Sequence, residues 1–200
     1  MIQAGKNIIS PSDNLQKTDV YYLYKTVKDP KPSMREFIEQ LRTLKTINEQ
    51  QYSKQKRKLP YITTGIFKPP FRKTDNFAVI QYFILDLDHI SENNKDMNKL
   101  REVLKKDPQI VLVFASPGAD GLKVFLKLKH ACYDHAKYSI FYKAFAQQFA
   151  VSKNLENIVD MRTSDVTRAC FFSYDPLAWY NENAVAVDME NYIDFNNPYA

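Results

Sequence analysis

Three features of the sequence predict an α+β chain. From residue 77 onward, apolar segments switch between the period of a strand and that of a helix; a helical pattern follows a proline break near residue 32; and 44% hydrophobic residues in a chain of 200 can fill a core. The expected architecture is an N-terminal α/β subdomain (1–75) packed on a βαββαβ subdomain (76–180), followed by a C-terminal extension (181–200).

Residues 1–19 are polar with mixed turn signals and read as a loosely held arm. Val20-Tyr21-Tyr22-Leu23-Tyr24 is rich in strand formers, and Asp29-Pro30-Lys31-Pro32 then breaks the chain. Ser33 with Glu36 has the spacing of a capping box. Phe37, Leu41 and Leu44 continue at helical spacing, so a helix is predicted from 34 to the mid-forties.

A basic segment comes next, with Lys54, Lys56, Arg57 and Lys58, then Arg72 and Lys73 beyond Pro69-Pro70-Phe71. Cations with Phe67 and Phe71 between them suit a single nucleic-acid strand, because the cations meet phosphates and the rings can stack on bases. The plainer reading is a solvated helix end followed by a loop. The net charge of +5 favours polyanionic partners. Two cysteines make no disulfide framework. With no signal-peptide core at the N-terminus and no apolar run near the ~20 residues of a membrane helix, a cytoplasmic protein is expected.

Residues 77–88 read as a strand, followed by a helix capped at Ser91 and closed by Asp107-Pro108. Residues 110–115 form an apolar strand, 117–121 a turn, and 122–129 alternate strictly. Leu122, Val124, Leu126 and Leu128 share one face; Lys123, Phe125, Lys127 and Lys129 share the other. A helix over about 134–151 and a strand through 168–174 complete a β-α-β-β-α-β order. That is the ferredoxin-like, or RRM-like, arrangement, whose strands stand in the order 4-1-3-2.

The chemistry gathers at the end of the first of these strands. Residues two apart in a strand point the same way, so Asp86 and Asp88 should stand together. Such a pair takes up a proton or a cation, and a hard divalent ion such as Mg²⁺ suits oxygen ligands. The predicted topology brings Ser116, Lys123 and Asp160 to the same edge, with Lys123 on the face left open by the helices. Three carboxylates, a lysine, a serine and a glycine-containing turn suit metal-assisted chemistry on a nucleoside triphosphate. Relief of carboxylate repulsion would then be expected to raise the stability of Asp→Ala variants in metal-free buffer.

Ile84-Leu85-Asp86-Leu87-Asp88, Ser116-Pro117-Gly118-Ala119-Asp120-Gly121-Leu122-Lys123 and Val159-Asp160 together resemble the three ordered motifs of the archaeo-eukaryotic primase (primase-polymerase) superfamily. Leu59-Pro60, Gly121-Leu122-Lys123 and the stretch from Arg168 to Pro176 look like its VirE N-terminal-type domains and CRISPR-associated primase-polymerases. The resemblance covers roughly residues 55–180 and departs from the wider superfamily at Lys123, where histidine is usual. It implies a primase-polymerase-type fold and template-dependent nucleotidyl transfer. Asp86, Asp88 and Asp160 would hold Mg²⁺ or Mn²⁺. Ser116, Gly118, Gly121, Lys123 and Arg168 would hold the nucleotide, while Lys54, Lys56, Arg57, Lys58, Arg72 and Lys73 would hold a single-stranded or primed DNA or RNA template.

A haloacid-dehalogenase phosphatase also uses Asp-x-Asp after an apolar strand, but it places its lysine far beyond the serine. A DxD glycosyltransferase explains neither Lys123 nor Asp160. The non-enzymatic alternative is an RRM-like nucleic-acid-binding or scaffold module. Domains of this type commonly precede a helicase or another module, and the end at Asn196-Asn197-Pro198-Tyr199-Ala200 leads us to expect further domains in a longer protein.

Overall fold

The computed structural model describes residues 1–194; the chain end at 196–200 and the last part of the extension lie outside the described residues. In chain order the elements begin β1 (Ile2–Gly5), β2 (Gln16–Thr18), α1 (Val20–Lys28), α2 (Pro32–Ile47), α3 (Glu49–Lys56), β3 (Tyr61–Thr63) and β4 (Gly65–Phe67). They continue β5 (Phe77–Leu87), α4 (Met97–Lys105), β6 (Ile110–Ala115), β7 (Leu122–Cys132), α5 (His135–Lys153), β8 (Ala169–Phe171) and β9 (Trp179–Tyr180). The α+β class holds, with two sheets ordered β2-β1-β3-β8 and β4-β5-β7-β6-β9 and antiparallel neighbours in both. No helix among the described residues is long and apolar enough to cross a membrane.

Four local expectations are corrected. The arm at the N-terminus supplies two paired strands, β1 and β2, with Ile2 fully buried. The strand expected at 20–24 is helical, because Val20, Leu23 and Val27 bury one stripe while Asp19 caps the turn by accepting from the Tyr22 N–H. Packing overrides β-propensity here. Ser33 lies in the first turn of α2 behind Pro32, not at its cap. Asn48 ends α2, donating its N–H to Leu44, and its side chain caps α3 by accepting from Gln51. The same correction applies at α4, whose cap is Asp96 rather than Ser91.

The central strands β5-β7-β6 stand in the predicted 1-3-2 order. The fourth position beside β5 differs. There the neighbour along the early part of β5 is β4, while β8, expected in that place, pairs with β3 in the other sheet. On the side of β5 away from β7, Ile158-Val159-Asp160 lies along its end, through a Leu87–Val159 bridge flanked by Asp88 N–H to Ile158 O (3.0 Å) and Asp160 N–H to Asp86 O (2.8 Å). The chain then leaves because Cys170 and Phe172 bury with Ile2, Ile62 and Phe114. Each sheet therefore contains a strand from the other side of residue 75.

One core lies between β5-β7-β6 and the helices α4 and α5, where Phe83 meets Phe141 and Phe145 edge-on. The opposite face, expected to be open, is roofed by α1 and the four-stranded sheet, and Phe125 on it is fully buried. At the rim, Arg101 donates to Asp175 (2.8 Å) and to Leu177 O (3.2 Å), and Asp175 also accepts from the Ala115 N–H (2.6 Å). This ion pair, 3% and 5% exposed, pins the 175–178 turn to α4 and the end of β6. Asp175→Ala is expected to cost about 3–5 kcal/mol, because it leaves a buried guanidinium unpaired. Cutting the exposed Arg35–Glu39 pair should change stability little by comparison. Urea denaturation of the two variants side by side checks the contrast.

Candidate active site

The register of β5 against β7 places Asp86 directly opposite Lys123. Lys123 Nζ donates to Asp86 Oδ1 and lies 3.7 Å from Asp88 Oδ1. Because the roof covers this face, the Lys123 and Asp86 side chains are only 11% and 13% exposed, against 40% for Asp88. Burial opposes the Lys123 ammonium, but the Asp86 and Asp88 charges outweigh it and hold its pKa above the usual lysine value. Burial pushes the Asp86 carboxyl up, with Lys123 pulling against it.

These residues sit on the floor of a cleft of about 760 Å³. Ser116 and Arg168 of the expected nucleotide set line it, as do Lys56, Arg57 and Arg72 of the expected template set. Gly121 closes the floor, since a Cβ there would meet Leu87 O at 2.6 Å and Asp88 Oδ1 at 2.7 Å. Gly118 faces the helices, where a Cβ would meet the Tyr52 hydroxyl at 2.7 Å. In the same turn Ala119 takes the left-handed conformation (φ 55°), and Asp120 accepts from the Ser91 N–H and lies 3.7 Å from Lys45.

Asp160 is tied to Asp86 through the backbone, yet its carboxylate turns to Arg168 (3.4 Å) and to the Arg162 N–H (2.9 Å). The three predicted carboxylates therefore do not converge on one point here. Two of them face a single cation position, held by Lys123. A separate group, His89, Glu92 and Asp120, has oxygen and nitrogen atoms within 4.8 Å of one another at the cleft mouth. The remaining template residues diverge: Lys54 borders a neighbouring groove with Arg57, and Lys58 and Lys73 are exposed elsewhere. Phe67 is fully buried against Leu15 and Tyr61, so it cannot stack on a base.

The far wall was not read from the sequence. It consists of Lys45, Glu49, Tyr52 and Lys56, whose spacing of four, three and four residues continues one face from α2 into α3. Ile8 and Ile9, from the loop between β1 and β2, form an apolar lip. Burial pushes the Tyr52 phenol up to about 12, so it remains a donor at neutral pH. The Cys170 thiol, on the same lining, is also held at about 12 by burial and is inert.

Residues 54–180 match the family described as BT4734-like, N-terminal domain. No curated protein matches the chain. Similar solved structures include the AEP domain of the cyanophage S-2L primase-polymerase, with a TM-score of 0.48 and 8% identity over 95% of this chain and 85% of that one. Another is the polymerase domain of Mycobacterium tuberculosis Ligase D in complex with DNA, with a TM-score of 0.38 and 14% identity over 60% of this chain and 48% of that one.

The Lys123 bridge reverses the expected effect of removing Asp86. Asp86→Ala is expected to lower stability measurably, because the buried ammonium loses its hydrogen-bonded carboxylate and keeps only Asp88 at 3.7 Å. Asp88→Ala, at a more exposed position, should stay within about 1 kcal/mol. Since the Lys123 pKa is raised, the stability its ammonium contributes is present at neutral pH and is lost as pH rises past the ordinary lysine range. Urea titrations at pH 7 and above pH 10 read both effects.

Proposed function

The chain belongs to the BT4734-like N-terminal domain family, and from the cleft chemistry and the three ordered motifs we propose a primase-polymerase-type nucleotidyltransferase, similar to VirE N-terminal-type domains and CRISPR-associated primase-polymerases. The observation that carries the reading is the cation position between Asp86 and Asp88 on the floor of a cleft whose rim is basic. Two carboxylate oxygens facing one cation are the donors a hard divalent ion takes.

Asp86 and Asp88, with Asp160 beside them, would hold Mg²⁺ or Mn²⁺, which supplies activation of an attacking hydroxyl and stabilisation of a leaving pyrophosphate. Lys123, displaced from the carboxylates, reaches phosphate as a charge-assisted donor. Ser116 adds a hydroxyl at the end of β6, and Arg168 a planar fork that Asp160 holds in place. Arg57 and Arg72 place cations along the rim, where a template strand's phosphates would lie. Further domains, a helicase among them, would belong to a longer protein.

Incubation with a primed template, nucleoside triphosphates and Mg²⁺ or Mn²⁺ should give extended product, and Asp86→Ala, Asp88→Ala and Asp160→Ala should each abolish it. An Asp160→Ala variant with full activity would remove that residue from the ligand set. A second reading follows from Lys123 itself: an ammonium that never leaves the carboxylates takes the place of the metal, and the domain binds nucleic acid without turnover. Absence of extension with either metal, together with strand binding indifferent to Asp86 and Asp88, would establish that reading instead.

Strand binding should weaken steeply with salt. Arg57→Glu and Arg72→Glu, at the cleft, are expected to weaken it more than Lys58→Glu and Lys73→Glu, which lie off it. Fluorescence anisotropy with a labelled oligonucleotide at several salt concentrations gives both the ranking and the slope.

A further inference from the structure

The basic segment 54–58 is divided by the helix that carries it. Lys54 is exposed beside a groove of about 520 Å³ that it shares with Glu49, Gln50, Ser53 and Arg57. Lys58 is exposed beyond the helix end. Lys56 turns the other way, half-buried, into the cleft. Its Nζ lies 5.2 Å from the centre of the Tyr52 ring and 5.7 Å from that of Phe171.

Three of the cations around it are committed to carboxylates, Lys45 to Asp120, Lys123 to Asp86 and Asp88, and Arg168 to Asp160, while Arg72 donates to Thr167 O and Arg57 is exposed at the rim. Among the described residues, Lys56 has ring faces and no carboxylate within ion-pair distance. Ring faces hold an ammonium in place without neutralising it, so its charge and its N–H donors remain available. It feels Lys123 across the cleft and Lys45 along its own wall as repulsion, and Asp88 and Asp86 across the cleft as attraction. Burial, reinforced by Lys123, lowers its pKa from the usual lysine value. An immobilised ammonium without an acceptor, facing a cation position across a cleft, is a receptor for an anion that arrives with a cation.

We infer that Lys56, seated between the Tyr52 and Phe171 rings, holds the triphosphate of the incoming nucleotide from the wall opposite Lys123, and does not contact the template. This inference rests on the nucleotidyl-transfer reading and deepens it by naming the side of the cleft that grips the polyphosphate. The rings position Lys56 before the ligand arrives, so little side-chain freedom is lost on binding.

The test compares the unmodified protein with Lys56→Ala, Lys56→Arg and Lys143→Ala, the last a charge-matched change on the exposed side of α5. Each is titrated, in Mn²⁺, with a fluorescent nucleoside triphosphate and separately with a labelled single-stranded oligonucleotide. Inorganic tripolyphosphate serves as competitor, and thermal melts monitor folding. Lys56→Ala is expected to weaken triphosphate binding about tenfold or more while oligonucleotide affinity stays within about twofold of Lys143→Ala. Lys56→Arg should recover part of the loss. Tripolyphosphate should displace the nucleotide from the unmodified protein, which shows that the phosphates and not the base make the contact.

Unchanged triphosphate binding in Lys56→Ala, or a larger loss for the oligonucleotide than for the nucleotide, overturns this inference. If the unmodified protein extends primers at the same time, nucleotidyl transfer stands and only the role of Lys56 falls. An unmodified protein that neither binds a triphosphate nor extends a primer overturns both.

Discussion

The cross-strand pair of Asp86 and Lys123 is the constraint around which the site is arranged. Its position follows from the β5–β7 register, which sets Leu85 against Val124 and Leu87 against Leu122 on one face and Asp86 against Lys123 on the other. A slip of one residue would turn the leucines of β7 out of the helical core and drive Lys123 into it. The apolar alternation of β7 therefore fixes where Lys123 stands, and the same packing that holds the sheet together aims the ammonium. The roof of α1 and the second sheet removes water from that face. With less water the attraction within the pair strengthens, and so does the cost of leaving either member alone.

The roof exists because the two sheets trade strands. β4, from the N-terminal side of residue 75, lies beside β5, and β8, from the C-terminal side, lies beside β3. Between these crossings the chain passes Ile158 to Asp160 along the end of β5 and then Asp165 to Phe171 along the cleft. One wall of the cleft is thus covalently continuous with the floor through a short segment, and the other is the α2–α3 pair held by its own cluster of Ile38, Leu41, Tyr52 and Leu59. A cleft between such walls suits binding of a charged ligand partly out of bulk water, where each donor is worth more.

What could be read in the sequence was what periodicity and order encode. Strict alternation from 122 to 128 gave the helix-facing side of β7, and the helical spacing of Ile140, Phe141, Phe145 and Phe149 gave the buried stripe of α5 except at Ile140, which is exposed. Of the five residues expected at one edge, Asp86, Asp88, Ser116 and Lys123 share the cleft while the Asp160 carboxylate turns to Arg168, since motif order at strand ends survives moderate changes of topology. The destination of the strand at 168–174 was not legible. It depends on whether Cys170 and Phe172 find more apolar surface beside β3 or beside β5, which is a tertiary competition that local pattern does not record. Lys45 and Tyr52 were missed for a related reason: the helical face they share with Lys56 runs across the break at Asn48, and charge count alone merged Lys56 with its exposed neighbours.

The charge inventory of the cleft then bears on why a lysine stands where histidine is usual in the resembling superfamily. Asp86 and Asp88 with Lys123 leave the floor one negative charge in excess, which is close to balance for a buried group without a guest. On the proposed function, a divalent ion arriving with a triphosphate brings more negative than positive charge, so the floor alone would repel the pair it must receive. An ammonium that is permanently charged at neutral pH can answer this by moving from carboxylate to phosphate, which a neutral imidazole could not do without first taking up a proton. That movement leaves the metal to neutralise Asp86 and Asp88, and it adds one cation to the phosphate side of the cleft. The surplus anionic charge still needs a partner on the opposite wall, where the ring-held Lys56 stands.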